Sequence, residues 1–221
     1  MSDRRLVVIE GLDGSGKATQ TALLVRRLTE GGRACRQVSF PDYKHPSSVL
    51  VKLYLEGRVG ALEEVNAFAA SSFFSVDRYV SYQTQWKTDY LAGLEIVADR
   101  YTTSNIAHQM VKLPRDAWVD FIRWLTDFEY GRLGLPQPDL VIYLDMHPET
   151  SRRLLETRSR PEGPAVDIHE ADLAYLMRCR EAALYAADFL GWQVIRCCDG
   201  RQPFAPEDIA GRVFEIHEQS R

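Results

Sequence analysis

Disulfide frameworks, structural zinc sites and membrane spans leave marks that this chain of 221 residues lacks. Its four cysteines, Cys35, Cys179, Cys197 and Cys198, form no Cys-x-x-Cys pair and have no histidine at ligand spacing, so they read as reduced thiols. No apolar run approaches the ~20 residues a bilayer needs, so no membrane partner is expected. Residues 1–5 lead straight into a short apolar stretch, too brief for a secretory core, and a cytoplasmic protein is the expectation. Positive charge is not in excess: 27 Lys and Arg face 31 Asp and Glu, a formal net charge of −4, which removes the electrostatic case for a nucleic-acid partner. Internal repeats and low-complexity tails are also missing. What is present, with 45% hydrophobic residues, suffices for one full core, and residues 1–221 read as a single domain.

Short apolar runs alternate with longer segments of helical period, the pattern of an α/β fold with a parallel sheet and helices on both faces. Five runs read as strands: Leu6 to Ile9, Arg36 to Phe40, Glu95 to Ala98, Leu140 to Leu144 and Gln193 to Cys197. All five are apolar enough to be buried on both faces. Between them, Lys17 to Leu28 carries Ala22, Leu24 and Leu28 on one side and stops at Gly31-Gly32. Leu62 to Tyr79 reads as a long helix rich in Ala and Phe. Arg115 to Phe128 places Trp118, Phe121, Ile122, Leu125 and Phe128 at three-and-four spacing, which marks core or subunit-contact positions. Ser159 to Asp167, with two prolines, a glycine and arginines beside it, breaks the pattern and reads as a flexible flap. Pro206-Glu207-Asp208 opens the last helix.

The segment after the first strand is Gly11-Leu12-Asp13-Gly14-Ser15-Gly16-Lys17-Ala18-Thr19, a phosphate-binding loop. Glycines let successive N–H groups point into one concavity, the following helix adds its positive end, and Lys17 adds a full charge. A nucleoside triphosphate suits such a pocket. The usual motif has Ser or Thr after the Lys, whose hydroxyl reaches Mg²⁺; here that residue is Ala18, and Thr19 points in another direction on the helix. A second constellation, Asp99-Arg100-Tyr101-Thr102-Thr103-Ser104-Asn105, follows the third strand, at the carboxyl end of the sheet where open α/β folds bind ligands.

With Glu10 to Lys17, Phe40-Pro41-Asp42-Tyr43, Phe74-Ser75-Val76-Asp77-Arg78, Asp99 to Asn105 and Pro138 to Asp145 in this order, the chain resembles the thymidylate kinase family over nearly its whole length. The resemblance implies a P-loop kinase fold, a five-stranded parallel sheet flanked by helices with a short mobile lid over about residues 157–170. It implies Mg²⁺-dependent phosphoryl transfer from ATP to dTMP, giving dTDP and ADP on the way to dTTP, by a homodimer. ATP would be held by residues 11–19, namely Gly11, Leu12, Asp13, Gly14, Ser15, Gly16, Lys17, Ala18 and Thr19. Phe74 would stack on thymine, Arg78 would donate to its 4-carbonyl, and Asn105 would bond the pyrimidine edge beside Ser104. Phe40 and Tyr43 would close the acceptor pocket, Arg100 would grip the acceptor phosphate, and Asp13 would lie near the sugar 3′-hydroxyl. His108 stands where the family often has Tyr or Phe, a ring that crowds the sugar 2′ position.

Some members carry a basic residue directly after the loop Asp; here Gly14 stands there, which assigns Arg158 and Arg160 of the lid to the transferring phosphoryl group. With Lys17, Asp13 and Arg100 they make the expected catalytic set. Asp13, Asp99 and Glu170 would meet Mg²⁺ through water. Leu154 falls where an adenine-stacking arginine is common, with Arg153 adjacent, and residues 167–170 lack the usual Asp-Arg-x-Glu pattern. A phosphate monoester with a second pKa of about 6 is already a dianion at neutral pH, so no general base is needed. Another deoxynucleotide or deoxynucleoside kinase is the competing reading, with Glu10 as the base that a neutral hydroxyl would require. A nucleotide-binding paralogue with impaired catalysis is the other, with Ala18 and Leu154 as its signs.

Overall fold

The computed structural model describes residues 4–62, 64–157 and 173–221. Five strands, β1 (Arg5–Gly11), β2 (Cys35–Ser39), β3 (Glu95–Asp99), β4 (Leu140–Asp145) and β5 (Gln193–Arg196), form one all-parallel sheet in the order β2-β3-β1-β4-β5. The helices are α1 (Lys17–Glu30), α2 (Val49–Leu55), α3 (Ala67–Ser81), α4 (Lys87–Leu91), α5 (Thr102–Gln109), α6 (Trp118–Thr126), α7 (Pro148–Thr157), α8 (Leu173–Leu190) and α9 (Pro206–Gln219). This is the expected α/β P-loop kinase architecture. Among the described residues no helix is long and apolar enough to cross a membrane.

Alternation along the central strands feeds two cores, because successive side chains leave a strand on opposite faces. Leu6 and Val8 join Ile96, Ala98 and residues of α5, α6 and α8 on one face, whereas Val7 and Ile9 join Leu24 and Leu28 of α1 and Ile209 and Val213 of α9 on the other. Full burial on both faces holds for β3 and β4, but not for all five strands. β2 and β5 are edges and remain partly exposed, since each has a neighbour on one side only. Ala22 of α1 likewise faces solvent.

The helix expected from Leu62 begins at Ala67, where the Asn66 side chain accepts from Ala69 N at 2.9 Å and caps the first turn. The aromatic segment 115–128 is one rod in three conformations: a 3₁₀ turn (Arg115–Ala117), α6, then a π-helical turn (Asp127–Arg132). Trp118, Phe121, Ile122 and Leu125 are buried, as their spacing requires. The wider final turn points Glu129 inward, with no exposure at all.

Sheet order positions the functional loops. After β1 the chain moves outward to β2, returns to β3 beside β1, and then crosses to β4, so the connections out of β1 and β3 diverge at their shared carboxyl end. The register Ile9↔Asp99 places the residues leaving β1 directly beside those leaving β3.

At the opposite end of the sheet α9 is fastened to β3 by a charged cluster. His217, fully buried, sets Nε2 2.5 Å from Glu95 Oε1 and Nδ1 3.0 Å from Glu218 Oε1, while Arg5 Nη2 donates to the His217 carbonyl at 3.2 Å. Burial raises the Glu95 pKa, but the His217 hydrogen bond and the charges of His217, Arg5 and Arg221 outweigh it and hold the carboxyl below its ordinary value. A depressed carboxyl stabilises the fold above its unfolded pKa and loses that contribution as pH falls through the folded one. Glu95→Gln should therefore lower stability at pH 7 and lose that deficit as the pH falls through the depressed Glu95 pKa, below the ordinary carboxylate range; urea unfolding of both proteins at neutral pH and in strong acid tests it, and an equal deficit at both would refute the linkage.

Candidate functional site

A cavity of about 420 Å³ opens at the carboxyl end of the sheet between the loop after β1 and the turn after β3. Asp13, Gly14, Gly16, Lys17, Ala18 and Thr19 line one side, and Phe40, Tyr43, Phe74, Arg78, Asp99, Arg100, Ser104, Asn105 and His108 line the other. Gly11, Leu12 and Ser15 do not line it; Leu12 and Ser15 are buried beneath the loop, with 1% exposure each. Arg158, Arg160 and Glu170 lie outside the described residues.

Backbone geometry explains the loop's glycines. Gly14 has φ 77°, and a β-carbon there would sit 2.7 Å from the Ser151 carbonyl oxygen of α7. A side chain at this position would meet the α7 backbone, so a basic residue has no room here. Lys17 donates to the Leu12 carbonyl at 2.8 Å and stands 3.8 Å from Asp13 Oδ1. Burial, then the nearby Arg100 charge, lower its pKa to about 8 despite the pull of Asp13, Glu10 and Asp99.

Arg100 bridges the two sides. It is the one residue other than glycine with positive φ among those described, at 66°, a conformation that costs ~1–3 kcal/mol and persists only where its surroundings enforce it. They do so here: its backbone N–H donates to the Ile9 carbonyl at 3.1 Å, Nη2 pairs with Asp13 Oδ1, and Nη1 reaches Ser104 Oγ at 3.2 Å and lies 3.6 Å from Glu10 Oε1. Nη1 also lies 3.4 Å from His108 Nε2. Burial alone would raise the Asp13 pKa, but Arg100 and Lys17 dominate and hold it far below the carboxylate range. The same acids hold Arg100 far above its ordinary value against the effect of burial.

Glu10 is fully buried and already occupied. It accepts from Gly11 N at 2.9 Å, Thr103 Oγ1 at 2.6 Å and Ser104 Oγ at 2.8 Å, besides facing Arg100. An acid so saturated orients Arg100 and is poorly suited to accept a substrate proton. Asp99 differs: its Oδ1 is buried with no hydrogen-bond partner, and burial, joined by the Glu10 and Asp13 charges, raises its pKa against the pull of Lys17 and Arg100. An orphaned oxygen of this kind beside a phosphate loop fits the outer shell of a hard cation. Among the described residues no three His, Cys, Asp or Glu side chains are grouped to hold a metal by themselves.

On the other side, Phe40 is both core and wall, 4% exposed, whereas Tyr43 is half exposed. The loop between them and α2 is anchored by Asp77, which accepts from Asp42 N at 2.9 Å and Ser47 Oγ at 2.6 Å. Phe74 lies edge-on to Tyr54, with ring centroids 6.0 Å apart. Arg78 is buried, and burial would lower its pKa, but the bidentate Glu129 pair raises it instead. Leu154 packs against the core beside α1 and α9; its neighbour Arg153 reaches the Arg201 carbonyl and Thr150 Oγ1. Asp77 stood in the sequence reading only as part of its motif, with no role, and Glu129 escaped it. For Glu129 a signal exists: it continues the buried stripe four residues beyond Leu125, an acid on an apolar face.

A family model described as thymidylate kinase matches residues 9–197. The thymidylate kinase of Mycobacterium tuberculosis is 30% identical over 188 residues, 82% of this chain and 84% of that protein. The thymidylate kinase of Synechococcus is 32% identical over 164 residues, 74% of each chain. Among solved structures, thymidylate kinase from Candida albicans has the same fold, with a TM-score of 0.69 at 24% identity, covering 97% of this chain and 91% of that one.

The closeness of α7 to the loop makes a direct prediction. Gly14→Ala should cost ~1–3 kcal/mol in urea unfolding, because both the φ angle and the Ser151 carbonyl oppose a methyl group; an unchanged midpoint would show that the loop has slack.

Proposed function

The chain belongs to the thymidylate kinase family, and from that premise we propose that it transfers the γ-phosphoryl group of ATP to the phosphate of dTMP, yielding ADP and dTDP for dTTP synthesis. The family consists of phosphotransferases that generally need Mg²⁺. One observation carries the reading: a phosphate loop with its lysine and a partly buried arginine on the neighbouring strand end face one cavity and share the Asp13 carboxylate. A donor triphosphate on residues 11–19 and an acceptor monophosphate on Arg100 would meet between them.

The chemistry asks for positioning and charge support, not for a base, since the acceptor is already a dianion. Lys17 and Arg100 supply fixed positive charge where two polyanions approach, and the planar guanidinium of Arg100 suits two phosphate oxygens. Mg²⁺ bound to the nucleotide would offset the remaining charge, with Asp13, Asp99 and the lid's Glu170 as its water-mediated contacts. Arg158 and Arg160 would close over the transferring group. For the nucleoside, Phe74 gives a stacking surface, Arg78 and Asn105 a polar base edge, Ser104 a neighbouring hydroxyl, and Phe40, Tyr43 and His108 the pocket walls. This reading places the enzyme in the cytoplasm with small molecules, not nucleic acid, as partners.

A coupled assay of ADP formation across dTMP, dUMP, dCMP, AMP and thymidine tests the reading, with strong turnover of dTMP expected and turnover of thymidine alone refuting it. In the same assay Arg100→Ala should lower kcat/KM for dTMP by ~10³-fold or more; near-wild-type kinetics would remove Arg100 from the acceptor site.

We also propose a homodimer built on the outer face of α3. Phe68, Val76 and Tyr79 lie there more than one third exposed, and Phe68 continues into the Phe121 and Trp124 rings of α6. Light scattering should give twice the mass of the chain, and Phe68→Asp with Tyr79→Asp should give the single mass; a monomeric wild-type protein would refute the contact.

A further inference from the structure

Glu129 is a buried acid that the phosphoryl transfer just described does not use. Donors from two helices converge on it: Ser75 Oγ at 2.7 Å and the Arg78 Nε and Nη2 at 2.8 and 2.5 Å from α3, and Thr102 Oγ1 at 2.6 Å and Asn105 Nδ2 at 3.4 Å from α5. Both members of the Arg78–Glu129 pair are buried, at 2% and 0% exposure of their side chains. A buried ion pair is no net gain over well-packed apolar groups. Its use must be sought in what it orients, and the two groups it orients line the cavity.

Consider first Arg78. Nε and Nη2 are committed to Glu129 and Nη1 donates to the Tyr101 carbonyl at 3.3 Å, so three of the five N–H donors fix the plane of the guanidinium. The remaining donors belong to a rigid fork at the cavity wall. Asn105 is fixed in the opposite sense. Its Nδ2 faces two acceptors, the Ser71 carbonyl at 3.2 Å and Glu129 Oε1 at 3.4 Å. Turning the amide over would set its oxygen against a carbonyl and a carboxylate, so Nδ2 stays on the Glu129 side and Oδ1 is left as the free acceptor. The wall therefore presents one donor group and one acceptor group, and a single carboxylate decides which is which.

We propose that Glu129 is the positioning residue for base selection: by binding Arg78 and the Asn105 amide together it makes the pocket read an acceptor next to an N–H donor. Thymine and uracil offer that pair as O4 and N3–H. Cytosine offers the reverse, an amino donor at N4 and a bare acceptor at N3, and mismatches at both points. Uncompensated polar groups in a buried site are what make such rejection strong. The 5-methyl group plays no part in this device, so dUMP should follow dTMP in every test. This inference rests on the proposed use of dTMP and adds the residue that sets the polarity of its base site.

The test compares wild type with Glu129→Gln and with Thr102→Val, which removes the 2.6 Å bond to Glu129 together with the hydrogen bond between Thr102 and Tyr130. With saturating MgATP, kcat and KM are measured for dTMP, dUMP and dCMP. Glu129→Gln should raise KM for dTMP and dUMP alike by about tenfold or more, leave kcat within about threefold and KM for ATP unchanged, and lower the dTMP-over-dCMP ratio of kcat/KM by about tenfold or more. Thr102→Val should shift the same ratio in the same direction by about threefold. A uniform fall in kcat with an unchanged ratio would reduce Glu129 to a structural role and overturn the proposal. Should Glu129→Gln fail to fold, an unchanged ratio in Thr102→Val overturns it equally. Wild-type protein that accepts no pyrimidine monophosphate would instead sink the functional reading, before any variant is compared.

Discussion

Asp13 and Arg100 come from loops 87 residues apart, and their pairing is the constraint on which the site depends. It joins the loop after β1 to the turn after β3 across the one place in the sheet where the connections diverge. Arg100 reaches it only by adopting a backbone conformation that residues with side chains rarely take. Glu10, Ser104 and the Ile9 carbonyl hold that conformation from behind, so the cavity is shaped by a set of mutually satisfied charges and not by apolar packing alone. The charges of the site thereby offset one another. A phosphate that takes Arg100 must displace a tethered carboxylate, which disfavours weakly bound anions and favours a ligand with further contacts along the cavity.

The structure uses buried acids for different ends. Glu10 is saturated and orients an arginine toward phosphate; Asp99 has an unpartnered oxygen beside the lysine; Glu129 gathers donors from α3 and α5 beneath the opposite wall. What separates them is the number of donors each meets, because a carboxylate with every lone pair engaged can only hold its neighbours still.

Much of this was legible in the chain. Lys17 and the glycines declared themselves by spacing after an apolar strand, because a phosphate loop is a local structure whose backbone needs fix its residues. The central strands were equally plain, since burial on both faces leaves a continuous apolar run. Burial of the edge strands was overestimated, because whether a strand has one neighbour or two is decided by topology and not by its own residues. Glu129 was missed for a related reason. Its place on the stripe four residues beyond Leu125 marks burial but not a role, because its donors at 75, 78, 102 and 105 become its neighbours only after α3, α5 and α6 pack. The roles of Arg158, Arg160 and Glu170 belong to residues outside those described.

Gly14 carries a mechanical consequence. Its bare α-carbon lets the loop rest against the Ser151 carbonyl of α7 with no gap for even a methyl group. Loop and helix are therefore a stiff contact pair: the loop cannot advance toward α7 without pushing it. α7 is ten residues long, about 15 Å, and it leads directly into the segment beyond residue 157. A ligand on the loop is thereby separated from the first turns of α7 by a single glycine and by no side chain of the loop.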